Sequence, residues 1–226
     1  EKALLNVMSE YVEQKSTAKL VFPSTRLIYE GNAGILKEED TKAYKSIYAI
    51  NKHACERYIQ LYHEMFNLQF LIFRICIPYE SLMNTLVNGK SSKYVTVYPY
   101  DSAIDNSAND FDKGCKANYL KNISIYGDGN IRRTLTYIED LCQAMIKGAT
   151  SQSCQNDIYN IGGEEYTLGE LAECVAEKYH VKVNYVPWPE IAKKMESGGT
   201  VFDSAKLDSI ISYQSTSLKA WIKGEI

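Results

Sequence analysis

Between Leu68 and Ile77 the chain is almost continuously apolar, and only Gln69 and Arg74 interrupt it. A strand with one wet face would alternate polar and apolar residues, so this run is expected of a parallel strand covered on both faces. A second short buried strand is read at Ala18-Lys19-Leu20-Val21-Phe22, running directly into Pro23-Ser24-Thr25. Leu4, Leu5, Val7, Met8, Tyr11 and Val12 recur at helical spacing and predict an amphipathic helix over about 3–14. Another helix is expected over about 42–65, entered through the acidic run Glu38-Glu39-Asp40, where carboxylates suit exposed amides. Asn67 closes it. Helix, strand, loop, helix, strand is an α/β order.

From about 78 to 118 loop signals dominate and no periodicity assigns elements. Order returns with a strand at Ile123-Ser124-Ile125-Tyr126, turned by Gly127-Asp128-Gly129-Asn130, then Arg133 to Tyr137 and a helix from about 138 to 147. Asp157 to Ile161 reads as a strand ended by Gly162-Gly163. Thr167-Leu168-Gly169-Glu170 fits a capping box opening a helix with Leu171, Val175 and Tyr179 on one face. Val181 to Val186 alternates as a half-buried strand, and a last helix is expected near 216–223.

The formal charge of −3 argues against a nucleic-acid surface. No stretch approaches the roughly twenty apolar residues of a membrane span. No signal-like leader is read at the start, so a cytoplasmic location is expected. Cys55, Cys76, Cys115, Cys142, Cys154 and Cys174 show no CxxC spacing, and His53, His63 and His180 do not partner them. Reduced core cysteines and no metal site are expected.

Chemistry is concentrated at Tyr48 and Lys52. On a helix, i and i+4 share a face, so a phenol and an ammonium stand side by side. A neighbouring cation favours the phenolate and brings tyrosine within range of proton transfer near neutrality. A YxxxK pair alone is common on helix surfaces; what raises its weight is the hydroxyl pair Ser24-Thr25 at the C-terminal end of a strand, where open α/β sheets place their chemistry. The Thr25 hydroxyl could donate to a substrate oxygen while Tyr48 gives or takes its proton, or Ser24 and Thr25 could simply make a turn.

These residues resemble the extended short-chain dehydrogenase/reductase family, the NAD-dependent epimerases and dehydratases of nucleotide sugars. Val21 to Tyr29 is similar to the family's strand, Ser/Thr and VYG segment, Tyr48 to Lys52 to its YxxxK, and Leu71 to Arg74 to its strand ending in Arg. Ile125 to Gly129, Arg133 to Asp140 and Ile158 to Gly163 resemble its substrate-lobe and final-sheet signatures. The resemblance implies a Rossmann-like parallel sheet, incomplete at the N-terminus, with a smaller C-terminal α/β substrate lobe. It divides the chain into a dinucleotide-binding part at 1–77 and a mainly substrate-binding part at 78–226, with about 133–163 returning to the main sheet. It implies Tyr48 as acid/base, Lys52 as the residue that binds the nicotinamide ribose and lowers the Tyr48 pKa, and Thr25 at the reacting sugar oxygen. Pro23 and Ser24 would join Tyr48 and Lys52 in holding NAD or NADP. Arg133 would contact the nucleotide phosphate, with Arg132 as the alternative if the register slips by one; the other reading of Arg133 is a solvated strand edge. The partners implied are a nucleotide-sugar substrate and a second copy of the chain, through the helices at 3–14 and 42–65.

The family's glycine-rich dinucleotide turn is absent from the sequence, and Gly162-Gly163 has the wrong place and spacing. The chain therefore reads either as part of a longer protein or as a remnant. Glu30 stands where the family has Gly, Ile77 where an Asn is common, and Pro78-Tyr79-Glu80 replaces the usual YGP. Arg26-Leu27 occupies the place of the dehydratases' Asp-Glu, which disfavours 4,6-dehydration. The expected activity is NAD(P)-dependent epimerisation of a nucleotide sugar; the alternatives are keto-sugar reduction and a non-catalytic scaffold.

Overall fold

Helix α1 (Lys2–Glu13) leads into strand β1 (Leu20–Thr25), which extends through Pro23, Ser24 and Thr25 beyond the expected 18–22 before a single 3-10 turn at Arg26–Ile28. The computed structural model describes residues 1–31, 34–79, 122–180 and 182–224, so most of the stretch without periodicity lies outside the described residues. The short strand β2 (Ile35–Leu36) precedes helix α2 (Ile47–Phe66).

Helix α2 starts about five residues later than the sequence pattern suggests, because Ser46 is extended and its hydroxyl caps Ala49 N at 3.1 Å. The residues before it are tied back instead: Ala43 N donates to Ile28 O at 2.9 Å and Glu30 N to Thr41 O at 3.0 Å. The acidic run does not form a helix entrance. Asp40 accepts from Lys37 N at 2.8 Å, and Glu38 Oε1 accepts from Asn160 N at 2.7 Å. At the other end Asn67 takes the left-handed conformation, φ 55°, and closes the helix as expected.

Strand β3 (Phe70–Ile75) is the apolar run, followed by β4 (Ile77–Tyr79). Beyond the undescribed stretch come β5 (Asn122–Tyr126), β6 (Arg132–Tyr137), helix α3 (Ile138–Thr150), β7 (Asp157–Asn160), β8 (Glu164–Thr167) and helix α4 (Leu168–Tyr179). Strand β9 (Lys182–Val186), helix α5 (Glu190–Met195), strand β10 (Val201–Phe202), and helices α6 (Ala205–Asp208) and α7 (Leu218–Lys223) complete the order.

The first sheet has the order β1-β3-β7 and is parallel throughout. Its register explains why β3 is apolar on both faces. Phe22, Ile72 and Ile158 stand in one row across the sheet, on the side covered by Met8 of α1 and Ile59 of α2. Phe73 and Tyr159 stand in the alternate row and pack with Leu141 and Ala144 of α3. Side-chain alternation alone turns one continuous apolar strand into two buried faces.

Strand β6 lies between β4, which it joins in parallel, and β8, antiparallel. Strand β5 pairs with β9, and β2 with β10. The expected capping box is present: Glu170 N donates to Thr167 Oγ1 at 3.0 Å and Thr167 N to Glu170 Oε2 at 2.7 Å. The buried face of α4 is broader than the expected stripe. Ala172 and Ala176 pack against Ile125, while Leu171 and Val175 face the larger cluster around Leu135 and Leu218.

Cys55, Cys76 and Cys154 are buried, Cys142 is exposed, and all five described cysteines are free; Cys115 lies outside the described residues. Among the described residues no helix is long and apolar enough to cross a membrane.

Candidate active site

Helix α2 carries Tyr48 at its exposed first turn, 51% accessible, and Lys52 one turn on. The Lys52 ammonium lies 5.9 Å from the Tyr48 ring centroid and 4.7 Å from that of Phe22. It donates to the Pro23 carbonyl oxygen at 2.6 Å. Strand β1 and helix α2 are thus joined through the lysine. Partial burial pushes the Lys52 pKa below the usual lysine value, and the nearby Glu56 carboxylate opposes that shift.

Ser24 and Thr25 are buried residues at the end of strand β1, and the turn reading holds for Thr25 alone. Thr25 Oγ1 accepts from Leu27 N at 3.3 Å and starts the 3-10 turn. A hydroxyl has one proton and two lone pairs, so this bond leaves the Thr25 proton for another acceptor. Ser24 points the other way along the pleat, and its hydroxyl donates to Glu56 Oε1.

Sequence reasoning did not find Glu56. Its carboxylate is fully buried and receives Arg74 Nη2 at 2.7 Å and Arg74 Nε at 3.1 Å. Arg74 also donates to Tyr29 Oη at 2.7 Å and to Glu38 O at 2.7 Å, and Tyr29 Oη donates to Asn160 Oδ1 at 2.7 Å. Ser24, Arg74 and Asn160 occupy one row of the parallel sheet, immediately beyond the apolar row of Phe22, Ile72 and Ile158. That face of the sheet therefore ends in a polar network at the carboxyl ends of its strands. A signal was available: an arginine in an otherwise apolar buried strand requires a carboxylate, and Glu56 repeats the α2 face of Lys52 at i+4.

Arg133 lies on β6 and is completely buried, so it does not solvate a strand edge. Its guanidinium donates to Glu196 Oε1, to Gly198 O and, at 3.1 Å, to Arg132 O. Its Nε has no hydrogen-bond partner among the described residues. Burial, and then the positive charge of Arg26, bring its pKa down to about 10. Arg26 is itself buried, and its Nη1 donates to Ser197 Oγ at 3.0 Å and Thr200 Oγ1 at 3.4 Å. Two guanidiniums therefore converge on the segment 196–200. Arg132 is more exposed and pairs with Glu165 across to β8.

The glycine pair after β7 serves packing. A Cβ at Gly162 would collide with Ser204 Oγ, and one at Gly163 with the Leu135 carbonyl oxygen. Neither glycine opens a cradle for a pyrophosphate.

The sequence profile of the NAD dependent epimerase/dehydratase family matches residues 2–162. A UDP-glucuronate 4-epimerase from Thermodesulfobacterium geofontis is 27% identical over 206 residues, 84% of this chain and 55% of its own length. Among solved structures, UDP-N-acetylglucosamine 4-epimerase from Methanobrevibacter ruminantium, in complex with UDP-N-acetylmuramic acid, superimposes with a TM-score of 0.74 at 22% identity, covering 98% of this chain and 66% of that one. UDP-glucuronic acid 4-epimerase from Bacillus cereus, with UDP-glucuronic acid and NAD, gives 0.69 at 19% identity, covering 98% and 65%. These structural likenesses establish the α/β fold. The chain spans about half the length of the curated relatives it matches.

Proposed function

We propose that this chain, which belongs to the NAD-dependent epimerase/dehydratase family, carries the acid/base centre and nucleotide-sugar site of an NAD(P)-dependent epimerase. The observation that carries this reading is the Lys52 ammonium, half-buried and held on the Pro23 carbonyl beside an accessible Tyr48 phenol. A cation and a hydroxyl side by side at a strand end fit the ribose end of a nicotinamide cofactor. NAD, when bound, supplies the acceptor and donor of a hydride.

The chain's own residues handle the proton. Tyr48 takes the proton of the sugar hydroxyl as the carbon loses its hydrogen, and returns it when the transient ketone is reduced on its other face. Lys52 holds the ribose beside the phenol. Thr25 donates its free proton to the sugar oxygen. Arg133 binds the diphosphate, a role supported by its buried Nε, which has no hydrogen-bond partner among the described residues. A buried Arg26 directly after Thr25 speaks against 4,6-dehydration, which needs an acid and a base at that end of the sugar.

In this reading residues 1–77 complete the cofactor side and most of 78–226 the substrate side. Helices α1 and α2 expose Val7, Leu61 and Met65, an apolar face suited to a second copy of the chain.

Stoichiometry tests the proposal. The intact protein, given NAD and in turn UDP-glucose, UDP-glucuronic acid and UDP-N-acetylglucosamine, is expected to convert one of them to an epimer without net consumption of cofactor. Net oxidation of reduced cofactor by a keto-sugar would favour the reductase. Absence of both turnover and cofactor binding would leave the scaffold.

A further inference from the structure

The geometry points to Glu56 as a positioning residue that, with Ser24, sets where helix α2 rests on the end of strand β1 and hence where Tyr48 stands relative to Thr25. This deepens the functional reading and rests on the roles given there to Tyr48, Lys52 and Thr25.

Two cross-links run between the same two elements. Lys52 of α2 donates to the carbonyl of Pro23, and Glu56, one turn further on, accepts from the hydroxyl of Ser24. Residues i and i+4 of the helix are thereby stitched to consecutive residues of the strand. One contact alone would leave the helix free to turn about it. Two contacts about 6 Å apart along the helix axis fix both rotation and register.

Glu56 can serve this way because Arg74 holds it. The Arg74 fork takes both carboxylate oxygens from the neighbouring strand, and Arg74 is anchored in turn by Tyr29 and the Glu38 carbonyl. A carboxylate with no solvent access and two partners has no other place to go. The same negative charge counters the burial that disfavours a charged Lys52. Glu56 touches neither Tyr48 nor the position of a reacting atom, so its effect is transmitted through Lys52 and the strand end.

The test is Ser24→Ala, which removes one stitch and leaves the Arg74–Glu56 pair. In the intact protein kcat is expected to fall about tenfold, the cost of a modest misplacement, while KM for the nucleotide sugar stays within about twofold. Ser24→Thr restores the hydroxyl and is expected to recover most of the loss. Tyr213→Phe is the structural control, because it strips a hydroxyl that accepts from Gly162 N at 3.1 Å, away from Arg74, Glu56 and α2, and it should leave kcat unchanged. An unaltered kcat in Ser24→Ala, or equal losses in Ser24→Ala and Tyr213→Phe, overturns the inference.

A second measurement needs no turnover. On the 226-residue chain, proton exchange of the Lys52 ammonium can be followed by 15N NMR, with the signal assigned through Lys52→Arg. Exchange should quicken at least about threefold in Ser24→Ala and Glu56→Gln and not in Tyr213→Phe. Unchanged exchange in the first two overturns the inference. A wild-type protein without any epimerase activity would sink the functional reading instead, and ammonium exchange would still decide the role of Glu56.

Discussion

Tyr48→Phe is expected to reduce turnover by about a hundredfold to ten-thousandfold, the usual contribution of a positioned general acid/base, with little change in stability. The two halves of that expectation come from one observation. Tyr48 is half-exposed at the first turn of α2, and among the described residues its ring belongs to none of the buried clusters. Removing its hydroxyl strands no buried partner, and substitutions at such sites stay within about 0.5 kcal/mol. A structural tyrosine would lose stability on the same change. Tyr29, with its hydroxyl between Arg74 and Asn160 and its pKa pushed up to about 12 by burial, provides the contrast. Steady-state kinetics paired with urea unfolding of the two phenylalanine variants separates the roles. Full turnover by Tyr48→Phe would remove the acid/base assignment.

The largest effect on stability is expected at the buried Arg74–Glu56 pair. Both side chains are essentially inaccessible, at 2% and 0%, and the two nitrogens of Arg74 meet the two oxygens of Glu56. Arg74→Met leaves an uncompensated carboxylate in the core and should cost about 3–5 kcal/mol by urea unfolding. Arg74→Met combined with Glu56→Met should be far less damaging than the sum of the single changes, because most of each single cost is the orphaned charge. Additive losses would show that the two residues act independently. The pair crosses from the central strand to α2, so weakening it loosens the attachment of the helix that bears Tyr48 and Lys52.

The parallel sheet was legible because β3 is buried on both faces and its apolar run has no solvent side to encode. The capping box of α4 was legible because Thr167 and Glu170 bond backbone atoms within one turn. Tyr48, Lys52, Thr25 and Arg133 could be proposed from residue type, order and the family resemblance, because the proposed chemistry calls for those types. What the sequence concealed depended on contacts between distant residues. The start of α2 moved to Ile47 because residues 41–43 bond to the 3-10 turn, a tertiary tie that local propensity does not carry. Glu38 resembled a helix-entrance carboxylate yet caps Asn160 N, 122 residues away. Glu56 looked like one more charged residue on a helix until Ser24 and Arg74, on neighbouring strands, converged on it. The burial of Arg133 was hidden for the same reason, because the segment 196–200 that covers it is remote in sequence.

We propose that the sugar hydrogen moves as a hydride while Tyr48 handles only the hydroxyl proton. Turnover of the nucleotide sugar in deuterium oxide tests it most directly. Mass spectrometry and NMR of the epimerised product should find no deuterium on the inverted carbon, because that hydrogen leaves and returns without meeting solvent. One solvent-derived deuterium per inverted carbon would contradict the account, since it would mean that the carbon is deprotonated and reprotonated by the protein.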